Sequence, residues 1–100
     1  MTSARRANGK AVALASGVSP RKVLVRVMSG HHDASVRFLD LLRLLRALGF
    51  AERTRASHHT FGKPGVVDII NLQAHGSTAK PYQVRQVRQA VIRYNLTLEG

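Results

Sequence analysis

The sequence predicts an α+β domain in which helices cover one face of a three-stranded antiparallel sheet. Apolar residues recur every three or four positions before Gly49 and after Pro81, which predicts helices. The segment between them is rich in β-branched and aromatic residues interrupted by turn residues, which predicts short strands. A meander of this kind needs one covered face, and the apolar stripes of the helices supply the cover. With 100 residues, the chain is long enough for one core but not for two.

The first part of the chain has a different composition. Residues 1–18 contain Arg5, Arg6 and Lys10 among Ala, Ser and Gly, and no acidic residue. This composition predicts a flexible basic tail, although an organellar transit peptide has a similar one.

A short helix follows this tail. Ser19 is a good N-cap, Pro20 suits the first helical position, and Gly30 is a natural stop. We therefore predict an accessory helix and a joint over residues 19–34, and the main domain over residues 35–97.

The main domain opens with a strongly amphipathic helix that Gly49 ends. Ser35 is its predicted N-cap. Its core side is predicted to be formed by Phe38, Leu41, Leu42, Leu45 and Leu48. Its outer side is predicted to carry Asp40, Arg43, Arg46 and Ala47.

Three strands are predicted next, over residues 51–55, 57–61 and 66–72, with a turn at residues 62–65. Pro81 can begin the last helix, whose core side is predicted to be formed by Val84, Val87, Val91 and Tyr94.

Strand alternation separates the two adjacent histidines of the second strand. If Phe61 points towards the helices, His59 points the same way, whereas His58 and Thr60 point to the open face. His58 is therefore the better candidate for chemistry.

The charge balance predicts a polyanionic partner. Sixteen Lys and Arg residues oppose five Asp and Glu residues, giving a formal net charge of +11. A basic surface that only favours solubility, or that binds an acidic protein, is the alternative. There is no cysteine, which excludes disulfides, a thiolate nucleophile and Cys-based zinc sites. No apolar run approaches the ~20 residues of a membrane span, and we expect a cytoplasmic protein.

Imidazole beside many cations suggests chemistry on RNA. RNA carries its own nucleophile, the 2′-hydroxyl, so a general acid or base and a grip on the phosphate are sufficient. We assign the acid–base role to His58. The candidate phosphate contacts are Arg53, Arg55, Lys63 and Lys80.

The histidine pair also has a structural interpretation. A strand histidine is often half-buried with one hydrogen bond, and we keep this interpretation for His59. Adjacent histidines on a strand point to opposite faces and do not easily bind one metal ion. We predict no bound metal and no cofactor.

Three segments together resemble the signature of HicA toxins. Leu44 to Phe50 reads as a helix ending in Leu-Gly-Phe, Arg53 to Arg55 lies in the strand that follows, and Ser57 to Phe61 resembles the family's Ser-His and aromatic strand residue. The resemblance extends from about Ser35 to Leu96.

This resemblance implies a fold, an activity and a partner. The family has a double-stranded-RNA-binding-domain-like fold of order α-β-β-β-α, to which this chain would add an N-terminal helix. HicA proteins are mRNA interferases of type II toxin–antitoxin pairs, which act in stress responses, and a HicB antitoxin covers their active site. The histidine directly after the serine is the catalytic one, which implies His58 here.

The chain departs from the family pattern at two places. The family's glycine before the serine is Ala56 here, so a positive φ at this position would strain the turn. Many relatives carry Pro-x-His at the end of the third strand, where this chain has Asn71-Leu72-Gln73, with His75 nearby. No second catalytic histidine is inferred.

The leading hypothesis is a metal-independent endoribonuclease that acts as a toxin, cleaving mRNA and arresting translation. One alternative is a non-catalytic RNA-binding or regulatory module. The other is a passive interaction domain that binds an acidic protein.

Overall fold

The structure, a computed structural model, describes residues 18–98. Its elements in chain order are α1 (Pro20–Ser29), α2 (Phe38–Ala47), β1 (Ala51–Arg55), β2 (His58–Lys63), β3 (Val66–Gln73) and α3 (Pro81–Tyr94). The strands form an antiparallel sheet with β2 in the centre. The predicted α+β class and three-stranded sheet are thereby confirmed. The predicted basic tail lies outside the described residues, apart from Val18.

Helix α1 begins and ends where its capping residues predict. The backbone N–H of Lys22 donates to Oγ of Ser19 at 3.3 Å, and Gly30 ends the helix with a φ of 77°. A left-handed conformation of this kind favours glycine because it has no Cβ. Val23 and Val27 are buried in the same hydrophobic core as the sheet and the other helices.

Arg88 of α3 forms hydrogen bonds to the last turn of α1 and to the segment that follows it. Nη1 of Arg88 donates to the carbonyl oxygen of Val27 at 2.9 Å. The same guanidinium donates to both carboxylate oxygens of Asp33, at 2.9 and 3.1 Å. These hydrogen bonds hold the pKa of Asp33 below its usual value. The fork-shaped contact fixes orientation as well as distance, so α1 is joined to α3 by more than apolar packing.

Helix α2 begins later than predicted, because the residues before it pair with a distant loop. The N–H of Phe38 donates to the carbonyl oxygen of Ser77 at 2.9 Å, and the N–H of Ala79 donates to that of Val36 at 2.8 Å. These bonds keep Val36 and Arg37 out of the helix, and Arg37 is the N-cap in an extended conformation. The predicted cap at Ser35 is wrong. Its hydroxyl instead donates to the carbonyl oxygen of His32, at 3.3 Å.

The predicted outer side of α2 is also partly wrong. Asp40 is buried, with 3% of its surface exposed, and its nearest cation is Arg43 at 3.6 Å. Arg43 reaches back to donate to the carbonyl oxygen of Val18 at 2.6 Å. The backbone of Val18, just before α1, therefore contacts this side of α2. The apolar side chain of Leu39, next to Asp40, is by contrast 62% exposed.

Gly49 ends α2, as predicted, in a left-handed conformation with a φ of 97°. The N–H of Gly49 donates to the carbonyl oxygen of Arg46, and the N–H of Phe50 donates to that of Leu45. This pair of bonds is a Schellman motif, which satisfies carbonyl groups at the helix end. It directs the chain into β1.

The core lies between the sheet and the helices. Its most deeply buried sheet residues are Phe61, Ile70 and Leu72, all at most 1% exposed. Helix α3 begins at Pro81, as predicted, and adds a buried residue that periodicity did not indicate, Gln83. Its side chain accepts from the N–H of Lys80 and donates to the carbonyl oxygen of Gln73.

None of the helices between residues 18 and 98 is both long and apolar enough to cross a bilayer.

Candidate nucleic-acid interface and active site

The open face of the sheet carries a basic cleft around His58. In the β1–β2 register, Arg55 lies opposite His58 and Arg53 lies opposite Thr60. In the β2–β3 register, Asn71 lies opposite Thr60. The cleft has a volume of about 790 Å³ and is lined by Arg53, Thr54, Arg55, Ala56, His58, Thr60 and Asn71.

His58 is exposed on this face, as strand alternation predicts. Directly opposed residues of antiparallel strands have Cβ atoms roughly 5 Å apart, so the guanidinium of Arg55 can lie beside the imidazole. Within residues 18–98, the ring of His58 makes no hydrogen bond to protein. Both ring nitrogens are therefore available to a bound molecule.

The floor of the cleft carries neutral hydrogen-bonding groups. Oγ1 of Thr60 donates to Oδ1 of Asn71 at 3.1 Å across the β2–β3 pair. This bond leaves the amide NH₂ of Asn71 as a neutral donor on the open face. Neither Thr60 nor Asn71 is among the site residues predicted from the sequence. Strand alternation could have indicated Thr60, because it places Thr60 on the same face as His58.

The turn beside the cleft is strained at Ala56. Its φ is 55°, in the left-handed region that costs a residue with a Cβ about 1–2 kcal/mol. The two-residue turn of Ala56 and Ser57 joins β1 directly to His58. A positive φ therefore does occur where the resemblance predicts a glycine.

His59 lies on the helix side of the sheet, one residue from His58. Its Nδ1 is 2.8 Å from Oε2 of Glu52, and because a carboxylate only accepts, the imidazole donates. The edge of its ring contacts Phe38, with ring centroids 5.4 Å apart. Arg46 contacts Oε1 of the same glutamate at 2.6 Å. This hydrogen bond is the main reason that the pKa of Glu52 is lowered, and the bond from His59 adds to it.

The acidic side chains of the described chain all have arginine partners. The pairs are Asp33 with Arg88, Asp40 with Arg43, Glu52 with Arg46, and Asp68 with Arg93. Among residues 18–98, neither Arg53 nor Arg55 has a carboxylate within ion-pair distance. The positive charge of the cleft is therefore left uncompensated by these carboxylates.

The two lysines predicted as phosphate contacts lie outside the cleft. Lys63 is at the far end of β2, five positions from His58, or about 17 Å along an extended strand. Its ammonium lies against Gly49, where an added Cβ would come within 2.6 Å of Nζ. Lys80 precedes α3 and does not line the cleft. Of the predicted cations, the structure brings only Arg53 and Arg55 together with His58.

Two further features bear on the chemistry. His75 is exposed beyond the end of β3 and does not line the cleft. Across the described residues, no group of three or more His, Asp and Glu side chains is placed to hold a metal ion.

Comparison of the chain with family models, with curated proteins and with solved structures finds no match.

Proposed function

We propose that the protein is a metal-independent endoribonuclease in which His58 acts as general acid or base. The observation that supports this most is the position of His58 on the open face, in one cleft with Arg53 and Arg55 of β1, which lack carboxylate partners among residues 18–98. A phosphodiester needs such cations to bind, and an imidazole can transfer a proton at neutral pH.

Four side chains of the cleft have a role in this mechanism. His58 removes the proton of the ribose 2′-hydroxyl, whose oxygen bonds to phosphorus as the bond from phosphorus to the 5′-oxygen breaks, and water supplies the proton that the leaving 5′-oxygen takes up. In its protonated form His58 supplies that proton instead, and water accepts the proton of the 2′-hydroxyl. Arg53 and Arg55 hold the phosphate and offset the negative charge that develops on its oxygens. The amide of Asn71 adds a neutral donor beside them.

The biological role that we propose rests on the HicA-like segments. The protein would be the toxin of a type II toxin–antitoxin pair, cleaving mRNA in the cytoplasm and arresting translation under stress. A HicB-like antitoxin would cover the cleft. The helix-strand order, the Ser57-His58 pair and the positive φ at Ala56 support a HicA-like, double-stranded-RNA-binding-domain-like fold.

The decisive experiment replaces His58 with glutamine, which keeps a polar side chain but cannot transfer a proton at neutral pH. We expect H58Q to cleave an RNA oligonucleotide about 10²- to 10⁴-fold more slowly than the wild type. RNA affinity and circular dichroism should be unchanged, and EDTA should not affect the wild-type rate.

The matched control is H75Q, because His75 is also exposed but lies outside the cleft. It should cleave at the wild-type rate. Equal cleavage by H58Q and the wild type would remove His58 from the mechanism.

A second candidate function is a non-catalytic RNA-binding module. It is favoured by the absence, within the described chain, of any hydrogen bond that orients the ring of His58. In that case RNA binding would weaken with salt, and no product would form with or without added Mg²⁺.

A further inference from the structure

The basic cleft continues into a second hollow on the open face of the sheet. This hollow has a volume of about 340 Å³ and is lined by Ala51, Glu52, Arg53, Thr60, Gly62 and Ile69. Arg53 and Thr60 line both hollows. We call the two together the open-face trough.

The chemistry of the trough changes along its length. At one end are Arg55 and His58, whereas the other end is formed by Ala51, Gly62 and Ile69. Gly62 lies opposite Ala51 in the sheet and presents bare backbone. An added Cβ there would contact Cδ1 of Ile69 at 3.6 Å. The side chain of Ile69 is 51% exposed and lies beside this bare strip, which makes a low apolar floor.

We propose that the open-face trough selects unpaired RNA by seating one base on Ile69 and Gly62 while Arg53 holds the adjacent phosphate. This inference rests on the proposed function and specifies its substrate. The face of a base is flat and apolar, and single-strand binding combines a cationic groove with packing of such faces, most often on aromatic side chains. Here the exposed side chain of Ile69 provides an aliphatic surface for that packing. In a duplex the base faces are stacked on one another and cannot reach the floor.

The position of Arg53 makes the two ends act together. Because Arg53 faces both hollows, a phosphate on its guanidinium has the imidazole of His58 on one side and the apolar floor on the other. A base on the floor would fix the register of the strand, and this register decides which phosphodiester lies beside His58.

The test measures binding separately from cleavage. H58Q is titrated, by fluorescence anisotropy, into a labelled unstructured RNA oligonucleotide and into the same strand annealed to its complement. We expect tighter binding to the single strand. Adding I69S should weaken single-strand binding about 5-fold or more, the lower range for loss of one base contact, and should leave duplex binding unchanged.

The matched control is V67S, because Val67 is 85% exposed on the same strand but does not line the trough. It should bind both RNAs as H58Q does. Equal effects of I69S and V67S, or equal affinity for duplex and single strand, would overturn the inference. A series of oligonucleotides with one abasic nucleotide tests the same point without altering the protein, and affinity should fall at one position only.

The result separates this inference from the proposed function. Wild-type cleavage with binding insensitive to I69S overturns the trough alone. Binding that depends on Ile69, without any cleavage by the wild type, supports the trough and contradicts the nuclease. Absence of RNA binding overturns both.

Discussion

The two faces of the small sheet hold adjacent histidines in opposite environments. On the helix side, His59 donates to Glu52 and contacts Phe38, and its side chain is only 17% exposed. On the open side, His58 is exposed near Arg53 and Arg55 of β1, and its ring has no hydrogen-bond partner in the described chain. A one-residue step along a strand therefore decides whether an imidazole is fixed in place or available to a ligand.

The same division applies to charge. Glu52 faces the helices and is paired with Arg46, and Asp68 is bound by Arg93 and Tyr94 of α3. No described carboxylate pairs with a cation of the open face. The paired carboxylates therefore lie with the helices, whereas Arg53 and Arg55 keep on the open face a charge that can attract a polyanion.

Of the variants that test the difference between the two faces, the largest effect should come from removing the cations of the open face, and it should appear in RNA affinity. The double variant R53Q/R55Q should bind RNA much more weakly. The slope of log affinity against log salt should become shallower by about 0.7 for each lost phosphate contact. Fluorescence anisotropy over a salt series measures both quantities.

The charge-matched control is R21Q/R26Q on α1, which removes the same charge away from the sheet. A slope change in this control as large as in R53Q/R55Q would show that net charge, rather than the cleft, governs binding.

A smaller effect is expected on the free energy of unfolding when each of the two histidines is replaced by alanine. H59A removes the hydrogen bond to Glu52 and the ring contact with Phe38, so the free energy of unfolding should fall by about 1–2 kcal/mol. H58A removes an exposed side chain and should change it by less than about 0.5 kcal/mol. Urea denaturation followed by circular dichroism measures the difference, and equal losses would contradict the assignment of the two faces.

The smallest effect is expected at the strained turn. A56G relieves the left-handed strain, but part of the gain is offset by the extra freedom of glycine in the unfolded chain. The free energy of unfolding should therefore rise by less than about 1 kcal/mol. The control is A51G, since Ala51 lies in β1 without a positive φ and its loss should destabilise the sheet. Destabilisation by A56G would show that the turn is not strained.

Local patterns predicted much of the fold and part of the site. Ser19 and Pro20 predicted the start of α1, and Pro81 predicted the start of α3. Gly49 predicted the end of α2. These predictions were correct because caps act through neighbouring backbone groups. Alternation along β2 placed His58 on the open face, and the register brought Arg53 and Arg55 to the same cleft. These predictions depended on contacts within a few residues or between neighbouring strands.

The failures came from contacts that are distant in sequence. Ser35 had a good capping side chain, but pairing with the loop before α3 kept the chain extended past it. Asp40 fell on the polar side of α2, but it is buried in the folded chain, and Arg43 on the same side contacts the backbone of Val18. Lys63 was close to His58 in sequence, yet an extended strand carried it to the far end of the sheet.

Sequence patterns alone predict the helix and strand types, most of their boundaries, and the opposite orientations of His58 and His59. The pairing of charges, the start of α2, and the position of Arg53 between the basic cleft and the apolar floor depend on the folded chain. This difference follows from the range of the interactions. Periodicity and capping depend on near neighbours, whereas ion pairs and the trough depend on which distant segments the folded chain brings into contact.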